Sequence, residues 1–212
     1  MDKSWIKTLY APKLVNPIFI QALALSDPVS IAVTRLLLQY ANPHKFAELY
    51  SPHFPDYIIA GEDGLCTLPR CEFSANNHLT PNIVLLTSNM QQLPEGPAAN
   101  YEVFTTIVTY AKAIGCTHVL SYGGFPTEHP DNSIYVAATS ETLAAHVVNA
   151  CGGKIFSHGE LAGAMGLILG LAQTQDLSGL CVLKPLITRV PPEVTALAIF
   201  NYLVTIMESQ RN

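Results

Sequence analysis

The chain has 212 residues, of which 49% are hydrophobic and 13% charged, and its formal net charge is −5. That length fits a single domain over residues 1–212 with a sizeable core, and the apolar content excludes a disordered chain. So few charges, tilted towards acid, exclude a strongly basic nucleic-acid surface and favour a protein that hides part of its surface in a homo-oligomer.

The opening Met1–Lys7 stretch has no apolar segment of the signal-peptide kind, and no later run is long enough to span a membrane. Cys66, Cys71, Cys116, Cys151 and Cys181 are scattered and odd in number, as expected of reduced thiols in a cytoplasmic protein. The close pair Cys66 and Cys71 lacks the two-residue spacing of a zinc knuckle, so no metal site is expected.

In chain order, residues 17–23 read as a buried strand. Asp27 or Ser26 can cap a helix that begins near Pro28. Val29, Ala32, Val33, Leu36 and Leu37 form its apolar face, and Asn42-Pro43 ends it. Residues 47–50 read as a short strand and 51–55 as a rigid proline loop. Residues 57–60 and 65–68 flank Gly61-Glu62-Asp63-Gly64 as a hairpin, and 70–73 pair as an edge segment. Residues 82–87 are an apolar strand buried on both faces. A helix follows over 97–114, stopped by Gly115. Residues 117–122 are the next strand, 123–133 a loop, 134–138 a strand and 141–149 a helix.

Gly159, Gly163, Gly166 and Gly170 then fall at steps of four, three and four, which on one helix places all four on a single stripe. Each glycine inside a helix costs roughly 0.5–1 kcal/mol relative to alanine, so the stripe is read as a packing surface for another backbone. Leu161, Met165, Leu167, Ile168, Leu169 and Leu171 make this helix apolar all round and therefore buried. Two rival readings are a membrane helix with a glycine dimerisation face and a buried strand. Residues 180–183 are a further buried strand, and a last amphipathic helix runs from Pro191 to about Met207. Alternating apolar strands and helices imply an α/β sheet covered on both faces, made mixed by the hairpin around residue 62.

Signatures of several enzyme classes are absent. The chain has no phosphate loop ending in Gly-Lys-Ser/Thr, no Gly-x-Ser-x-Gly elbow and no His-Glu-x-x-His helix. The first strand-to-helix turn, Ala24-Leu25-Ser26-Asp27-Pro28, has no glycine, and Asp27 would repel a phosphate. No catalytic residue and no cofactor are assigned. What remains is a candidate ligand-binding rim at the carboxyl ends of the parallel strands: Asn89, Gln91, Gly123, Gly124, Thr127, Glu128, His129, His158 and Glu160. His129 beside Glu128, or His158 near Glu160, would form a base with its orienting carboxylate. The competing reading is that these residues cap helices and solvate loops.

Phe46-Ala47-Glu48-Leu49-Tyr50-Ser51-Pro52-His53-Phe54-Pro55 resembles a segment of the proteasome assembly chaperone 2 family, a broad group also labelled ATP-grasp superfamily proteins. Leu68 to Phe73 is similar to its arginine–glutamate–phenylalanine strand, Asn82 to Thr87 with Gln91 to its next strand, and Tyr122-Gly123-Gly124 to its glycine turn. Gly159 to Ala172 resembles its glycine helix, and Gly179 to Leu183 the strand after it. The resemblance runs from about residue 17 to 207. It implies a three-layer α/β/α sandwich of the phosphorylase/hydrolase-like type with a mixed, mostly parallel sheet. It also implies homo-oligomers and, for some relatives, chaperoning of proteasome core assembly. The expected function is thus a non-enzymatic oligomeric binding or assembly protein with a protein partner and no nucleic-acid or membrane partner. The alternative is a small-molecule-binding enzyme, a hydrolase or ligase, using the rim loops. The chain departs from the family in its glycine-free first turn. It also ends Ser209-Gln210-Arg211-Asn212 without the hydrophobic-tyrosine tail, which leaves proteasome docking through the C-terminus unsupported. Tyr202 is expected to be packed inside the last helix.

Overall fold

The computed structural model describes residues 3–24, 27–92, 94–157, 159–187 and 189–209. Their core is a nine-stranded mixed sheet in the order β1-β3-β6-β7-β2-β8-β11-β9-β10. The strands are β1 (Trp5–Thr8), β2 (Ile18–Gln21), β3 (His44–Tyr50), β6 (Cys71–Asn76), β7 (Ile83–Ser88), β8 (His118–Phe125), β9 (Tyr135–Ala138), β10 (Lys154–Ile155) and β11 (Ser178–Pro185). At the centre, β7, β2, β8 and β11 run parallel. On one side β6, β3 and β1 add antiparallel strands, and on the other β9 pairs antiparallel with β11 and carries the parallel β10. The hairpin expected around residue 62 forms, from β4 (Ile59–Ala60) and β5 (Cys66–Thr67), but as a separate two-stranded sheet. The main sheet is therefore mixed because of its flanking strands, and not because of that hairpin.

Five helices complete three layers: α1 (Pro28–Ala41), α2 (Pro97–Ala113), α3 (Glu141–Cys151), α4 (Gly163–Thr174) and α5 (Pro192–Ser209). One layer comprises α1, α3 and α5, the other α2 and α4. The first packs Val33, Leu37, Ile199 and Leu203 against Ile20, Leu120 and Val182. The second packs Phe104, Ile107 and Ile168 against Phe19, Phe46 and Phe73. Phe73 lies at the middle of an aromatic cluster, 6.2 Å from Phe19 and 4.9 Å from Tyr110 between ring centroids. The central strands meet helices on both faces, which is why Ile18–Gln21 and Ile83–Leu86 are buried residue after residue.

Local capping explains the ends of these helices. The Asp27 carboxylate accepts the N–H groups of Val29 and Ser30 at 3.3 and 2.8 Å, leading into Pro28 at the first turn. Asn42 closes the same helix in a left-handed conformation, and Pro43 cannot continue it. Ser140 caps α3 through Leu143 N–H. Tyr202 is packed, 9% exposed, with its hydroxyl donating to the Gly152 carbonyl.

Several boundaries differ from the sequence reading. Strand β8 continues through Gly123 and Gly124, which were expected in the loop, because β11 pairs with it residue for residue as far as Phe125. The segment at 70–73 is not an edge: β6 lies between β3 and β7. The edge is β1, too short and polar to show a period. The glycine segment is changed most. The helix starts at Gly163, so Gly159 lies outside it. Only Ala164, Ile168, Leu169 and Ala172 are buried, and Gly170 is exposed, so the helix is half covered and not apolar-packed all round. Among the described residues no helix is long and apolar enough to cross a membrane. Ser26, His158 and the tail at 210–212 lie outside the described residues.

Candidate functional site

Two cavities open on either side of the carboxyl end of β8. The first, of about 240 Å³, is lined by Gln21 and Leu23 after β2, by Asp27 and Ser30 at the start of α1, by Tyr122, Gly123 and Gly124, and by Ala162, Ala164 and Met165 at the start of α4. It sits beyond the carboxyl ends of the parallel neighbours β2 and β8, between α1 of one layer and α4 of the other, at the end of the strands where open α/β sheets bind ligands. The second, of about 450 Å³, is lined by Phe125, Pro126, Thr127, His129, Tyr135, Ile155, Phe156, Ser157, Gly159 and Glu160.

The first cavity has a rigid back wall. Tyr122 is buried, and its hydroxyl meets Thr34 Oγ1 at 2.7 Å, while Thr34 Oγ1 donates to the Ala22 carbonyl at 3.3 Å. The phenol therefore donates to Thr34, and burial pushes it well above the usual tyrosine range. A Cβ on Gly123 would stand 2.7 Å from Met165 Sδ, so glycine lets α4 approach β8 closely. Ser121 Oγ reinforces that approach by donating to the Met165 carbonyl at 3.0 Å.

The second cavity is aromatic. Phe125 packs edge-on to Tyr135 and Phe156, at 5.4 and 5.2 Å between centroids. Behind it Asp131 Oδ2 accepts from Lys154 Nζ at 2.6 Å and from the Tyr135 hydroxyl at 3.2 Å. The Lys154 ammonium first, then Ser133, hold the Asp131 carboxyl well below the usual carboxylate range. Lys184, at the end of β11, is 4% exposed and donates to both the carbonyl and Oδ1 of Asn132 at 2.9 Å. Its burial lowers the ammonium's pKa. Asp131, Asn132 and Lys184 escaped the sequence reading. A lysine interrupting the apolar strand 180–185 was the available signal.

The structure distributes the eight described rim residues unevenly, His158 lying outside the described residues. Gly123 and Gly124 line the first cavity, and Thr127, His129 and Glu160 the second. Glu128 is exposed beside them without lining either. The His129 backbone N–H reaches Thr127 Oγ1 at 3.4 Å, but its imidazole has no carboxylate partner among the described residues. Asn89 is elsewhere: it accepts Arg70 N–H at 2.8 Å and donates to the Leu68 carbonyl at 3.3 Å, fixing the start of β6. Gln91 is exposed and lines neither cavity. Among the described residues no three His, Cys, Asp or Glu side chains gather as metal ligands. The five cysteines are free thiols, and burial pushes Cys71, Cys116 and Cys181 up to about 12.

The glycines of α4 do not act as one surface. A Cβ on Gly166 would fall 1.7 Å from the Leu161 carbonyl oxygen, whereas one on Gly170 meets nothing within 4 Å. Gly163 has a φ of +69°, a conformation that a side chain resists.

Comparison with known proteins places this geometry. The model of the PAC2 family matches residues 29–209. An uncharacterised protein of Methanocaldococcus jannaschii is 28% identical over 180 residues, 80% of this chain, and the match spans 66% of that relative's length, just under two thirds. The fold is shared with PbaB of Pyrococcus furiosus, described as an archaeal proteasome activator. The two superpose with a TM-score of 0.85 at 22% identity, over 98% of this chain and 90% of PbaB. PbaA of the same organism, described as an archaeal homolog of proteasome-assembly chaperone, gives 0.77 at 21% identity over 97% and 86% of the two chains.

Proposed function

The chain belongs to the PAC2 family, and from that premise we propose that it is a non-enzymatic, homo-oligomeric binding or assembly protein whose partner is a protein, a proteasome particle in the first instance. One observation carries the reading beyond the family. Tyr57, Ile58, Leu65 and Leu68 on the hairpin segment are each 46% or more exposed, and Trp5 is 39% exposed on the neighbouring edge strand. Trp5 and Leu68 line one apolar recess of about 360 Å³ with Tyr50, Phe54 and Pro55. Clustered large apolar side chains of this kind mark protein-docking surfaces. The polar rim supports the enzyme alternative poorly, since the His129 imidazole has no carboxylate partner among the described residues.

The test is light scattering after size exclusion, followed by sedimentation with purified proteasome core particles. An oligomer that co-sediments, and that loses co-sedimentation in a Leu65→Glu, Leu68→Glu double variant of unchanged melting temperature, supports the reading. A 23 kDa species that ignores the particles sinks it.

A further inference from the structure

The cavity at the start of α1 contains recognition groups that an assembly role leaves unused. Gln21 is only 5% exposed, it lines this cavity, and its amide has no hydrogen-bond partner among the described residues. The amide opens onto the cavity, where its donor and acceptor groups are free to meet a ligand. Asp27 lines the same cavity. Its Oδ2 accepts Ser30 N–H and Ser30 Oγ at 2.8 and 2.6 Å, but its Oδ1 accepts only Val29 N–H at 3.3 Å and keeps lone pairs for a further donor. Opposite stands the first turn of α4, a 12-residue helix whose N-cap, Ala162, supplies no side-chain cap. Its leading amides are donors without a side-chain acceptor, in a positive helix-end field.

These groups discriminate between ligands. Among the described residues no lysine, arginine or histidine lines the cavity, and the Asp27 carboxylate repels a phosphate or other anion. A bare amine would satisfy Asp27 but leave the α4 amides and their field unmet. A molecule with an ammonium at one end and a carboxylate at the other meets an opposite partial charge at both. We propose that this cavity binds a small zwitterion, a free α-amino acid. The ammonium rests on Asp27, the carboxylate on the leading amides of α4, and Gln21 hydrogen-bonds the remaining polar group. A cavity of about 240 Å³ accommodates one such molecule.

The experiment is isothermal titration of the full chain with each common amino acid, with ethanolamine as the amine lacking a carboxylate, and with inorganic phosphate. The expected result is saturable binding of at least one amino acid, and none of ethanolamine or phosphate. Asp27→Asn keeps a helix-capping side chain, so it should melt close to the parent yet bind that amino acid at least about tenfold more weakly. Gln21→Leu should bind more weakly while melting no lower. The proposal is overturned if no amino acid binds with a Kd below about 10 mM, if phosphate or ethanolamine binds as well, or if Asp27→Asn binds unchanged.

Discussion

Strands β7, β2, β8 and β11 are held between helices on both faces, whereas β3 and β6 bury one face under α2 and hold ionised side chains on the other. In the parallel centre, stability rests on volume. Phe19, Ile20, Val84, Leu85, Val119 and Val182 are all fully buried. In the antiparallel arm the cross-strand register aligns Lys7, Glu48 and Glu72. Glu48 accepts from Lys45 Nζ at 2.7 Å and from the Tyr50 hydroxyl at 2.9 Å, and Arg70 Nε lies 3.2 Å away. Arg70 also reaches Glu72 at 2.7 Å. One sheet thus contains a centre held by packed volume on both faces, and an arm whose inner face is packed around Phe46 and Phe73 while its outer face depends on charge.

The largest expected effect is in the centre. Phe19→Ala removes a fully buried ring from the Phe73 cluster and should cost about 3–5 kcal/mol in urea unfolding. A loss below 1 kcal/mol would mean the aromatic cluster is not the keystone of this layer. Next comes Gly166→Ala in α4. Its new methyl collides with the Leu161 backbone, and the strain should lower stability by about 1–3 kcal/mol despite alanine's higher helix propensity.

In the arm, Glu48→Gln should cost about 0.5–1.5 kcal/mol at neutral pH by removing one carboxylate from a network in which Lys45 and Arg70 keep Glu72 as a partner, and it should change the acid limb of the stability curve. Burial raises the Glu48 carboxyl, but hydrogen bonds from Lys45 and Tyr50 win and hold it below its ordinary value of 4.5. A depressed carboxylate stabilises the fold fully above its unfolded pKa, and the contribution is lost as pH falls through the folded one. The parent should therefore lose stability below pH 4.5 more steeply than Glu48→Gln. Parallel acid limbs for the two proteins would show that the network contributes nothing. The smallest effect is a gain: Gly170→Ala, where a Cβ meets open space, should stabilise by about 0.5–1 kcal/mol. Loss of stability there would reveal that the exposed side of α4 is covered in an oligomer.

Much of the architecture was legible because its causes are local. The continuous apolar runs at 18–21 and 83–86 follow from burial on both faces, and Asp27 with Pro28 and Asn42 with Pro43 punctuate α1 by backbone chemistry within a few residues. The family resemblance rested on such segments in order. The candidate site was less legible. Residues called together as a rim were sorted by the fold into two cavities and an unrelated strand clamp at Asn89. Gln21 and Lys184 acquired their meaning only from neighbours far away in the chain, and Asp131 from Lys154 together with nearby Ser133 and Tyr135.

By itself, the sequence determined where the central strands and most of the helices lie and how α1 is capped, since these depend on periodicity and on short-range hydrogen bonds. Tertiary structure alone decided that the hairpin at 59–67 stands apart from the main sheet, that β6 is internal while β1 is the edge, and that one glycine of α4 touches a backbone while another faces open space. Those outcomes depend on which strand pairs with which and how closely layers approach. Pairing and packing are set by the summed fit of distant surfaces, which no local window of residues contains.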